Sequence, residues 1–135
     1  LTHSKEFIMP LTRIALRAGK PAAYRTALTE GIQRALIETF NVPEDDIFML
    51  ISEHEAENMI YDRRYLGIER SDDLVLIQLT VSNTRALEQK KALFARIADY
   101  LAHEPGLRRE DVFINLVEVA KENWSFGNGL AQYAL

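Results

Sequence analysis

The sequence predicts an α+β fold built from two copies of a β-α-β unit, giving a four-stranded mixed sheet with two helices on one face. Two observations lead there. Short apolar or alternating runs near 11–17, 47–52, 74–82 and 112–119 have strand length, and the first and second pairs are each bridged by a stretch with apolar residues at helical spacing. Moving the chain by 65 residues then lays one half on the other. Asp46-Ile47-Phe48-Met49 falls on Asp111-Val112-Phe113-Ile114, Glu53 on Glu118, Leu28 on Leu93, Ile32 on Ile97 and Leu36 on Leu101. Agreement at separated positions under a single offset marks a duplicated unit.

Each element follows from its residues. Leu11 to Arg17 alternates, with Thr12, Ile14 and Leu16 on one face and Leu11, Arg13, Ala15 and Arg17 on the other. Ala18-Gly19-Lys20 reads as a turn, and Pro21 suits the first position of a helix. That helix places Tyr24, Ala27, Leu28, Ile32, Ala35, Leu36 and Phe40 on one side, while Arg25, Glu30, Gln33, Arg34 and Glu38 fall largely on the other. Asn41 ends it and Pro43 follows. Ile47 to Ser52 reads as a buried strand, and 53–73 as a polar connection whose turn, Asp62 to Gly67, is rich enough in Arg and Tyr to border a site. Leu74 to Ser82 is the third strand. The second helix carries Leu87, Leu93, Phe94, Ile97, Ala98 and Leu101 and stops before Pro105-Gly106. Val112 to Val119 is the fourth strand, followed by a tail from Lys121 to Leu135. The repeats therefore cover about 10–55 and 73–120.

A helix joining two strands of one sheet lets them run parallel, with a right-handed crossover. Both helices then lie on one face of the sheet. The other face has no cover within one chain, although Ile47 to Ile51 and Leu74 to Leu79 are apolar on both sides. Association of several subunits through that face is the expected remedy.

Composition narrows the function. The 135 residues are 47% hydrophobic and 27% charged, enough for one domain with a core of its own. A net charge of -4 without long runs of like charge argues against a nucleic-acid groove or an anionic membrane partner. The absence of cysteine removes disulfides and thiolate nucleophiles and fits a cytoplasmic setting. No apolar run approaches the ~20 residues that span a bilayer. His3, His54 and His103 are scattered without metal-ligand spacing, so no metal is expected. Gly127-Asn128-Gly129 lacks the strand-to-helix setting of a phosphate loop and reads as a turn.

The chemically suggestive pair is Met9-Pro10. A Met–Pro pair is one that amino-terminal processing can split, and a proline so released carries a secondary amine that exchanges a proton near neutral pH. Burial in an apolar pocket disfavours its charged form, which makes it a candidate general base. Under the repeat offset Pro10 falls on Val75, an ordinary strand residue, so the fold is expected to begin at Pro10. Residues 1–9 are then a leader or vector-derived segment, and 10–135 a single domain. While nine residues precede it, Pro10 has no basic nitrogen.

Four stretches together carry a resemblance: Met9-Pro10-Leu11; Phe40-Asn41-Val42-Pro43-Glu44-Asp45-Asp46; Arg85 followed by Glu88-Gln89-Lys90-Lys91; and Val117-Glu118 leading into Asn123-Trp124-Ser125-Phe126-Gly127. From about Pro10 to its end the chain resembles the tautomerase superfamily, in the branch that contains malonate semialdehyde decarboxylases. The resemblance implies a tautomerase/MIF-like fold, a homotrimer, no metal, no organic cofactor and a small carboxylic-acid substrate. It also implies Pro10 as the catalytic acid or base and Asp46 as the carboxylate that orients or activates water or substrate. Arg85 would clamp the substrate carboxylate, and Trp124, Phe126 and Tyr133 would wall the pocket. The decarboxylases have an arginine two residues before the one that matches Arg85, where this chain has Asn83, a neutral donor in place of a forked cation.

The functional expectation is therefore keto–enol tautomerisation of a 2-oxo or enol carboxylic acid. Two alternatives stay open. One is decarboxylation or hydration of a three-carbon 3-oxo acid. The other is a non-catalytic, ferredoxin-like binding module, if Pro10 is not amino-terminal.

Overall fold

The computed structural model describes residues 9–135; the leader expectation for residues 1–8 lies outside the described residues. The elements are β1 (Leu11–Arg17), α1 (Ala22–Phe40), β2 (Met49–His54), β3 (Val75–Ser82), α2 (Leu87–His103) and β4 (Val112–Val119). They form one sheet in the order β2-β1-β3-β4. β1 runs parallel to β2, β3 runs parallel to β4, and β1 meets β3 antiparallel. Each parallel pair is one repeat, closed by its crossover helix, and the two repeats join at the β1–β3 seam.

Period-two patterning sets the core. Thr12, Ile14 and Leu16 of β1 and Val75, Ile77, Leu79 and Val81 of β3 are all buried. Leu28, Ile32, Leu36 and Phe40 of α1 and Leu93, Ile97 and Leu101 of α2 complete the cluster from one side. The helices approach closely at Gly31. A Cβ there would come within 2.9 Å of Leu101 Cδ2 and 3.3 Å of Tyr100 Cβ, so only glycine leaves the two helices their present spacing.

The first helix begins at Ala22, with Pro21 as its N-cap and not its first helical residue. It ends as expected at Asn41, whose φ of 61° is the left-handed conformation that closes many helices. Gln33, assigned by spacing to the outer face, is buried, because the turn after α1 folds back over it. The second strand is displaced by two residues from 47–52, and it is an edge strand that is only half covered. Leu50 is exposed because it faces the open side of the sheet from an edge strand, and Ile47 and Phe48, also exposed, precede the strand. An apolar run alone does not distinguish that position from a central one.

The open face carries a cross-strand row of Leu50, Arg13, Gln78 and Asn115, and a second row of Ala15, Leu76 and Phe113. It forms a broad depression of about 550 Å³. No helix among the described residues is long and apolar enough to cross a membrane.

Candidate active site

Pro10 is buried and directly precedes β1, one of the two central strands. In this chain its nitrogen is an amide nitrogen bonded to Met9, which is also buried. The Met9 N–H donates to the Tyr133 hydroxyl at 3.3 Å. Beside the start of β1 runs the turn that follows α1, pinned by the Thr12 N–H donating to the Phe48 carbonyl at 3.0 Å. Between them lies a cavity of about 380 Å³ lined by Met9, Pro43, Asp45, Asp46, Phe48, Phe126 and Tyr133.

Asp46 is set in place through its backbone. Its N–H donates to the Pro43 carbonyl at 3.1 Å, and its own carbonyl accepts from Gln33 Nε2 at 3.2 Å. The carboxylate itself has no hydrogen bond or ion pair among the described residues. Burial, with a smaller contribution from neighbouring Asp45, pushes its pKa above the usual carboxylate value. Its repeat counterpart Asp111 differs. Asp111 is fully buried and accepts from Ser71 N at 2.7 Å, Ser71 Oγ at 2.6 Å and Arg108 Nη1 at 3.4 Å. One aspartate is a satisfied structural bracket; the other is an unspent carboxylate in a pocket.

The aromatic wall comes from the tail. The Trp124 ring stacks on Phe126 at 5.4 Å and 15°, and Phe126 meets Tyr133 edge-on at 4.6 Å. Trp124 Nε1 is buried without a partner among the described residues. Asp46, Phe126 and Tyr133 thus converge on one cavity, as the residue at the amino side of Pro10 does, with Trp124 behind Phe126.

Arg85 and Asn83 do not line that cavity. The second helix starts at Leu87 with Ala86 as its N-cap, so Arg85 lies just before it. Its guanidinium donates to the Phe40 carbonyl at 3.0 Å and to Thr84 Oγ1 at 2.6 Å, and lies 4.6 Å over the Phe40 ring. It therefore sits at the C-terminus of α1, where the helix dipole favours a cation. Half-burial pulls its pKa down, yet a guanidinium remains charged at any working pH. Asn83 is exposed, and its N–H donates to the Val119 carbonyl at 2.9 Å, extending the β3–β4 ladder.

The arginine-rich connection does not border the cavity either. Arg63 pairs with Asp72 at 2.7 Å and covers the Tyr61 ring, while Arg70 donates to the carbonyls of Tyr65 and Ile68. Sequence reasoning missed Phe48, Asp45 and Pro43 as cavity residues and Gln33 as the anchor of Asp46. Phe48 was assigned to a buried strand, and one glutamine on a helix carries no periodic signal. Among the described residues no cluster of His, Cys, Asp or Glu could hold a metal ion.

Fold and cavity together define a duplicated β-α-β protein with an unpaired carboxylate and an aromatic wall gathered at the start of a central strand. Two family models, both described as "Tautomerase enzyme", match this chain, one over residues 46–127 and the other over 10–69. The "Probable tautomerase YusQ" of Bacillus subtilis (strain 168) is 45% identical, over 92% of this chain and 98% of that protein. Two solved structures of malonate semialdehyde decarboxylases superpose with TM-scores of 0.84 and 0.85. The first is 30% identical and covers 91% of this chain and 95% of its own, and it is described as explaining decarboxylase and hydratase activities. The second, the FG41 enzyme inhibited by 3-bromopropiolate, is 35% identical and covers 91% and 93%. The chain belongs to the tautomerase superfamily of enzymes, and within it to the branch that holds the malonate semialdehyde decarboxylases.

Proposed function

We propose that residues 10–135 form a cofactor-independent enzyme acting on a small oxo carboxylic acid, with the Pro10 nitrogen as its acid–base group once the Met9–Pro10 bond is cut. The observation that carries this is the position of Met9. Met9, the residue attached to the Pro10 nitrogen, lines the cavity together with Asp46 and Tyr133, so cutting the Met9–Pro10 bond frees the amine next to that cavity, although Pro10 itself is not among its lining residues.

The roles follow from the surroundings. The Pro10 nitrogen moves the proton, and burial keeps the amine neutral and able to accept it. Asp46, unpaired and half-buried, orients or activates water or substrate. Trp124 and Phe126 dry the pocket. Arg85 and Asn83 lie outside that cavity; the family resemblance alone gives Arg85 the substrate carboxylate, with Asn83 as a neutral second donor, and Arg85 keeps N–H donors beyond those given to Phe40 and Thr84.

The likeness to the two decarboxylases favours decarboxylation or hydration of a three-carbon 3-oxo acid over keto–enol isomerisation. Asn83 supports the isomerase reading, because it withholds the second cation that would anchor a malonate-type carboxylate. The half-covered sheet face supports a homotrimer, with Leu76 and Phe113 at the contact.

Protein beginning at Pro10 and the same protein with residues 1–9 attached should be assayed side by side on 3-oxopropanoate and on an aryl enolpyruvate. Activity only in the Pro10-initiated form supports the proline reading, and the faster substrate selects the reaction. Equal activity in both forms overturns the proline mechanism. No turnover by either form, with the fold intact, favours a binding module.

A further inference from the structure

We propose that Gln33 is a positioning residue for the reaction: from the middle of α1 it holds the Asp46 main chain and so sets where the Asp46 carboxylate points. This rests on the reading of Asp46 as the group that acts on water or substrate.

The turn that carries Asp46 is a wall between two cavities. Pro43, Asp45, Asp46 and Phe48 line the cavity beside the start of β1, whereas Glu44 and Ile47 line a second one, of about 410 Å³, along the side of α1. A segment with a cavity on each side has little packing to fix it, and poorly packed segments open most readily. The sheet gives no direct support at this point. Its ladder to β1 begins at Met49 and reaches back no further than the Phe48 carbonyl.

Gln33 supplies the hold. Its neighbours Ile32 and Leu36 are fully buried in the core, so α1 is a rigid base for its side chain. The Gln33 Nε2 group donates to the Asp46 carbonyl at 3.2 Å and also lines the second cavity, so it reaches the wall from behind. The Asp46 carboxylate has no hydrogen bond or ion pair of its own among the described residues. Its direction therefore follows from the main chain that Gln33 holds.

The other half of the amide points the same way. Gln33 is only 8% exposed, and its Oε1 is buried without a partner among the described residues. An unpaired buried acceptor costs stability, and a methionine would fill the same space without it. Turning the amide over would set oxygen against oxygen and lose the bond to Asp46. The fold thus carries a buried amide whose one side-chain bond goes to the main chain of the cavity's carboxylate.

The test uses Pro10-initiated protein and the faster of 3-oxopropanoate and an aryl enolpyruvate. Rates are compared for the parent, Gln33→Met, Asp46→Asn and the double variant. In the parent background we expect Gln33→Met to lower kcat about tenfold with KM little changed. Added to Asp46→Asn, it should cost less than about twofold, because a residue that acts through Asp46 then has no carboxylate left to aim. An equal loss in both backgrounds overturns the proposal, as does full kcat in Gln33→Met while Asp46→Asn is slow. Asp46→Asn as fast as the parent overturns the reading of Asp46 beneath it. If Gln33→Met does not fold, Gln33→Glu decides. Its carboxyl donates to the Asp46 carbonyl only while protonated; Glu30 and Glu44 beside it favour that form and Arg34 opposes it. Its rate relative to the parent should recover as pH falls, and a ratio that stays flat with pH overturns the positioning role.

Discussion

Asp46 and Asp111 hold the same place in the two repeats and have opposite surroundings. Asp111 is spent on Ser71 and Arg108, whereas the Asp46 carboxylate has no partner and is pushed towards its neutral form by burial. Because the folded pKa of Asp46 lies above its unfolded value, the native state binds the proton more tightly. Its ionisation then erodes stability as pH rises from about 4 towards neutrality. Asp46→Asn should therefore match the parent's melting temperature in acid and exceed it by about 2 °C at neutral pH. The same variant should lose about 100-fold in turnover. Melting curves across pH, read beside kcat, check both. The sequence offset paired these two aspartates but could not separate them. What separates them is Ser71, forty residues from Asp111 in the chain and hydrogen-bonded to it in space, and no periodicity reports such a partner. Arg85 shows the same limit. The sequence shows it shortly before the second helix, whereas its contact with the Phe40 carbonyl depends on how the two helices meet.

At the scale of elements, β1 and β4 have the boundaries their alternation predicted, and β2 does not. The difference is physical. β1 lies between two strands, so its buried and exposed residues alternate cleanly, whereas β2 lies at an edge where an apolar run remains half-exposed. The connection from 55 to 74 had no pattern to read, because its order comes from side-chain brackets. Ser71 and Asp111 tie its end to the start of β4, and Arg63 with Asp72 closes it on itself. Asp111→Ala should leave the Ser71 N–H and hydroxyl without their acceptor and cost about 3 kcal/mol of stability, measured by urea denaturation. Because the connection does not line the cavity, kcat of the folded variant should stay within about twofold of the parent.

The whole molecule leaves one side of its sheet half-covered, with Phe113 exposed beside Leu76 and Ala15. The duplicated pattern predicted that asymmetry directly, since two crossovers of one hand put both helices on one side. On the proposed trimer, Phe113→Asp places a charge where subunits meet. Sedimentation should then shift from about three times the 15.5 kDa chain mass to the mass of a single chain. A trimer that persists unchanged would move the contact elsewhere on the surface.

The placement of β1 has a kinetic consequence. Chain ends ordinarily fray, and a reactive group on such an end spends much of its time out of register. Here the residue after Pro10 enters a strand with a hydrogen-bonded neighbour along each edge, so local opening at that point requires most of the sheet to open with it. On the proposed reading of Pro10, heating should not silence the enzyme gradually by loosening its amine. Inactivation and global melting should fall on a single curve, and amide protons at the start of β1 should exchange among the slowest in the molecule.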